Sequence, residues 1–81
     1  MLIRQIEIQE NIDISLLFGS FDENMKLLEK SLNVTVAPRD NTLQIKGEEE
    51  NVEKAGEVIN LLMQILARGE RIDTQKILYA I

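Results

Sequence analysis

What most constrains this chain is how its hydrophobic period changes along only 81 residues. Within Leu2–Gln9 the period is two: Ile6 and Ile8 alternate with Gln5, Glu7 and Gln9, as in a half-buried strand. Glu10-Asn11 breaks that run, and the short apolar stretch Ile14–Phe18 reads as one helical turn packed on the core. From Asn24 to Leu32 the period becomes helical. Met25, Leu28 and Leu32 form one stripe, Leu27 broadens it, and Lys26, Glu29 and Lys30 point outward. The period returns to two for Val34–Val36 and again for Leu43–Lys46, with turn chemistry from Pro38 to Asn41 between them. These two strands are expected to pair as an antiparallel hairpin. A long helix follows, from about Glu49 to Arg68.

The long helix carries more apolar surface than a small sheet needs. Val52, Ala55, Ile59, Leu62, Met63 and Leu66 make the expected core stripe. Val58, Leu61 and Ile65 lie on a second line, one more than a helix covering three strands requires. Either a final helix covers that line through Ile77, Leu78 and Ile81, or the line is an interaction surface for another domain or a second copy. Gly56 inside the helix costs about 1 kcal/mol relative to alanine. Glu48, Glu49 and Glu50 favour its positive N-terminal end, a better explanation of the acidic run than a cation site. Gly69 suits the position just past the C-terminus, and Asp73 suits the N-cap of a last helix, Thr74–Ile81.

The chemistry available is narrow. Cysteine and histidine are both absent, which excludes disulfides, thiolate metal sites and every nucleophile activated by an imidazole. The four glycines are too scattered for a phosphate loop, and no G-x-x-x-x-G-K-S/T motif occurs. The chain is therefore not expected to be an enzyme, and no cofactor or metal is expected in it. No apolar run approaches the ~20 residues of a membrane span, and the N-terminus is not a targeting segment. The expectation is a cytoplasmic protein with no membrane partner. Nine basic residues against fourteen acidic ones leave a net charge of −5, opposite to what phosphate binding favours.

One segment nevertheless suggests nucleic acid. Gly19-Ser-Phe-Asp22 lies between the short apolar turn and the first full helix. The order strand, short helix, Gly-containing loop, helix, strand, strand, long helix resembles the type I KH fold, β-α-α-β-β-α, here with an added C-terminal helix. The resemblance implies an α+β domain spanning residues 1–81, its three-stranded sheet covered by helices on one face. In a KH domain a GxxG loop clamps the backbone of single-stranded RNA or DNA, in a groove between the loop with its helices and the strand after them. Here Ser20 and Phe21 occupy the two central positions and Asp22 replaces the second glycine.

The residues implied as nucleic-acid contacts are Gly19, Ser20, Phe21, Lys26, Lys30, Arg39 and Lys46. Each has a plainer reading beside it. Ser20 with Glu23, or Asp22 alone, fits an N-cap. Phe21 fits a core or partner contact as well as a base stack, and the basic residues fit a solvated surface.

Several phrases in order narrow the resemblance: Leu17-Phe-Gly-Ser-Phe-Asp-Glu-Asn24, Lys26-Leu-Leu-Glu29, Val34-Thr-Val36, Leu43-Gln-Ile-Lys-Gly47, Asn51-Val-Glu-Lys-Ala55 and Ile77-Leu-Tyr-Ala-Ile81. Together they resemble the N-terminal domain of the bacterial PhoH-like proteins, the phosphate-starvation-inducible ATPase family. The resemblance implies that a P-loop ATPase domain follows, and that ATP and Mg²⁺ belong to it. On this reading the chain is an accessory fragment whose last helix, 73–81, leads into the ATPase. Its implied partners are that domain, single-stranded RNA and, through Val58, Leu61 and Ile65, a second copy.

Overall fold

A computed structural model describes residues 1–81. The elements are β1 (Leu2–Glu7), α1 (Ile14–Phe18), a 3₁₀ turn (Ser20–Asp22), α2 (Glu23–Leu32), β2 (Thr35–Arg39), β3 (Thr42–Gly47), α3 (Glu49–Ala67) and α4 (Thr74–Ala80). The domain is α+β, and its three strands lie in the order β1-β3-β2, both pairings antiparallel. β1 and β2 therefore run in the same direction with β3 inserted between them. The helical pair α1 and α2 forms the crossover from one edge of the sheet to the other.

Strand alternation sorts the sheet into two faces. Ile6, Val36, Leu43 and Ile45 are buried, and they fall on one side through the pairings Ile6↔Leu43 and Val36↔Ile45. The opposite parity (Gln5, Glu7, Thr35, Arg39, Gln44 and Lys46) is exposed or half-buried, the single solvated face expected of an antiparallel sheet. β2 extends further than the period suggested, taking in Pro38 and Arg39 and leaving Asp40-Asn41 as a two-residue turn. Asp40 enters the left-handed region, φ 55, as tight hairpins require. Pro38 is tolerated because β2 is an edge strand.

The core is aliphatic. Leu17, Leu28, Leu43, Ile45, Val52, Ile59, Leu62 and Ile77 are fully buried. α3 touches β1 and β3 on one side and α1, α2 and α4 on the others. That explains its wide apolar arc: Val58 is buried with Ile59 and Leu62, while Leu61 is exposed and Ile65 half-buried. The expected second line is thus split, its first member inside the core. α4 buries Ile77 and leaves Leu78 and Tyr79 in solvent.

The helix ends follow local rules. α3 closes in a Schellman arrangement, with Glu70 N–H donating to Ile65 O and Gly69 N–H to Leu66 O, and with Gly69 at φ 83. Asp73 caps α4 by accepting from Lys76 N–H at 2.9 Å. Gly56 meets the tip of Arg4, whose Nη1 would lie 2.9 Å from an added Cβ. β1 thus places one long cationic side chain on the helix-covered face, lying across α3.

Candidate nucleic-acid interface

The loop between α1 and α2 is built from unusual backbone. Asp13 starts α1 by accepting from Ser15 N–H at 3.0 Å and Ser15 Oγ–H at 2.7 Å. These two bonds hold the Asp13 carboxyl below its ordinary pKa of 3.8. After five helical residues α1 is stopped by Gly19, at φ 80 and ψ 178, a region open essentially to glycine alone. Phe21 and Asp22 then both sit in the left-handed region, at φ 53, ψ 31 and φ 58, ψ 23. For a bulky aromatic that is an outlier; Asp tolerates it better.

Neither expected cap forms. Asp22 makes no side-chain bond to the first turn of α2, and Ser20 belongs to the 3₁₀ turn instead of flanking the helix. The reason is geometric. An N-cap residue takes an extended backbone so that its side chain reaches back over the first turn, and a left-handed Asp22 is turned away from it. What secures the loop is Asn24, only 2% exposed. Its Nδ2 donates to Leu17 O at 3.3 Å, and an added Cβ on Gly19 would fall 2.7 Å from that nitrogen. Asn24 Oδ1 is buried without a partner. Sequence reasoning passed over Asn24, yet it carried a signal. Asn24, Leu28 and Leu32 share one helical line, so a polar residue stood where the stripe called for an apolar one.

The candidate contacts do not form one patch. Ser20 and Phe21 are exposed, Phe21 at 93%, which rules out docking of its ring into the core. Lys26 and Lys30 are exposed one turn apart on α2. Neither has an ion-pair partner; the only salt bridge joins Arg68 and Glu70. Arg39 and Lys46 lie elsewhere. Each shares the parity of solvent-facing residues, on the sheet face opposite the one that buries Leu43 and Ile45.

The groove between α2 and β2 is bridged by an acid. Glu29 does not point outward as its helical phase suggested: Oε2 accepts from Val36 N–H at 2.8 Å. A carboxylate so placed occupies the free edge of β2 and repels phosphate there. Val34 and Val36 are buried, so they offer no floor for a base. On the other side of the loop, a cleft of about 550 Å³ runs between Gly19-Ser20 and the α3–α4 connection. Glu23, Glu70 and Asp73 border it against Arg71 alone, so it does not favour anions either.

No family model matches the chain. Over 65 residues, 80% of its length, it is 32% identical to a PhoH-like protein of Bacillus subtilis (strain 168). Over 76 residues, 94% of its length, it is 30% identical to PhoH-like proteins of Mycobacterium bovis and Mycobacterium tuberculosis. The matched region spans only about a fifth of those curated relatives, 20% of the first and 21% of the others.

Proposed function

This chain is a PhoH-like domain, and on that premise we propose that it is a non-catalytic accessory module offering a weak single-stranded RNA surface beside an ATPase. ATP and Mg²⁺ then belong to the ATPase region and not to these residues. The observation that supports the reading is the backbone of the loop. Asp22, where a KH loop has its second glycine, holds φ 58, so the chain keeps a glycine-like bend after losing the glycine. Gly19 holds the other end of the loop at φ 80. Around it, Lys26, Lys30 and Arg71 supply unpaired positive charge, against exposed Asp22, Glu23, Glu70 and Asp73. Affinity is accordingly low.

The test is fluorescence anisotropy of labelled single-stranded RNA titrated with the chain at two salt concentrations. Binding that weakens with salt, and that Lys26→Glu with Lys30→Glu removes, is the expected result. A flat titration of the folded protein overturns the RNA reading. Glycine variants are unsuitable here, because Gly19 packs on buried Asn24 and its replacement perturbs the fold.

A second reading, a docking or self-association module, draws on the exposed apolar side chains Leu61, Leu78 and Tyr79 of α3 and α4. It predicts that Leu61→Glu or Leu78→Glu leaves a folded monomer with unchanged melting. Under this reading the unsubstituted chain associates, or binds the ATPase region supplied separately.

A further inference from the structure

The side chain best placed to meet a ligand at this loop is neither basic nor polar. Phe21 is 93% exposed, on a backbone in the left-handed region, φ 53 and ψ 31. An aromatic ring in water forfeits its burial, and a bulky residue in that region is strained. Nothing inside the fold compensates for either. Its chain neighbours Ser20, Asp22 and Glu23 are polar and exposed, and the one exposed apolar side chain that borders the loop is Leu16 of α1, beside Gly19 and Ser20, so no broad apolar patch surrounds the ring. Protein-docking hot spots cluster in packed pockets rimmed by other contacts. A stacking platform needs only an open ring face.

Resting on the RNA reading above, we propose that Phe21 is the principal contact of this loop and that it recognises a nucleobase by stacking, not the phosphate backbone. The charges around it agree. Asp22 and Glu23 repel phosphate at the loop, whereas the face of an uncharged base is indifferent to them. Lys26 and Lys30, further along the exposed side of α2, are placed to take flanking phosphates. With two such contacts the salt slope stays shallow, about −1.4 in log K against log salt for a single strand. The loop thereby exchanges an electrostatic clamp for an aromatic one, consistent with a domain of net charge −5.

The chain has no tryptophan, so Phe21→Trp installs a single indole reporter at the loop. Single-stranded RNA should quench it, and an abasic strand of equal length and charge should not. Phe21→Ala should weaken RNA binding about 5- to 150-fold while leaving the far-UV spectrum and melting curve intact, the range expected for loss of one stacked base. If RNA binds by anisotropy but the indole of the Phe21→Trp variant is not quenched, or if Phe21→Ala binds equally well, the stacking proposal is overturned and the RNA reading stands. Equal quenching by the abasic strand overturns it as well. If RNA does not bind at all, both fail. Concentration-dependent self-association that Phe21→Ala abolishes, in the absence of RNA binding, identifies the ring as a protein contact and also overturns the proposal.

Discussion

Replacing Gly19 by alanine places a methyl group where the structure has none to spare. The added Cβ would lie 2.7 Å from Asn24 Nδ2, 2.9 Å from Cγ and 3.2 Å from Oδ1. Asn24 is 2% exposed and cannot swing into solvent. The backbone at φ 80, ψ 178 adds about 1–3 kcal/mol of strain for any residue with a Cβ. Crowding a packed site costs about 1–3 kcal/mol more, and disturbing the Asn24–Leu17 hydrogen bond about 1 kcal/mol. These contributions overlap, since one small backbone shift relieves part of each, so the expected loss is about 3 kcal/mol.

For a domain of this size that lowers Tm by roughly 12–24 °C, and a total stability of about 4–12 kcal/mol leaves the variant folded at 25 °C. Asn24→Ala alone should cost about 1–2 kcal/mol, because Leu17 O loses its donor while removal of the unpaired Oδ1 offsets part of that loss. In the double variant the clash is gone and only the backbone strain remains. Urea titrations followed by circular dichroism should therefore give a favourable coupling of at least ~1 kcal/mol in the double-mutant cycle. A cost below ~1 kcal/mol for Gly19→Ala, or additive single variants, would refute the claim that Asn24 holds this glycine.

Gly56→Ala should behave in the opposite way. Its Cβ meets only the flexible tip of exposed Arg4, so the helix-propensity gain of up to ~1 kcal/mol should appear as a higher melting temperature. Glu29→Ala should cost about 1–2 kcal/mol in chemical denaturation through the orphaned Val36 N–H. Glu29→Gln keeps an acceptor and should cost less than half as much while raising RNA affinity by removing a negative charge from the groove. Asp13 sets an acid limb. Its folded pKa is lowered below the ordinary 3.8, so the stability it confers is fully present above that value. That stability is lost as pH falls through the lower, folded value. Protection factors of the α1 amides, corrected for intrinsic exchange, should thus fall as pH drops below the ordinary 3.8, and Asp13→Asn, which caps without titrating, should remove that dependence.

Much of this architecture was legible in local pattern. The changes of period placed all three strands and the two longer helices, because alternation and helical recurrence reflect which side chains one buried face demands, while α1 was read from a short apolar run. Gly69 and Asp73 announced the end of α3 and the start of α4, since caps depend on residues within one turn. Ranges shifted by a few positions where pairing overrode composition: Pro38 looked like a turn but sits on the edge strand. The site was less legible. Candidate lysines and arginines were found by type, yet parity and pairing put Arg39 and Lys46 on a different surface from Lys26 and Lys30.

By itself, then, the sequence determined the elements, their order, the aliphatic core and the absence of imidazole and thiol chemistry, all properties of single segments or of composition. Only the tertiary structure decided that β3 lies between β1 and β2, that Val58 belongs to the core and that Glu29 turns to Val36. It also decided that Asn24, not Ser20 or Asp22, secures the loop. Each of these depends on residues at least seven positions apart in the chain coming into contact. Such contacts arise from closing the chain around a shared core, and periodicity within a segment carries no record of them.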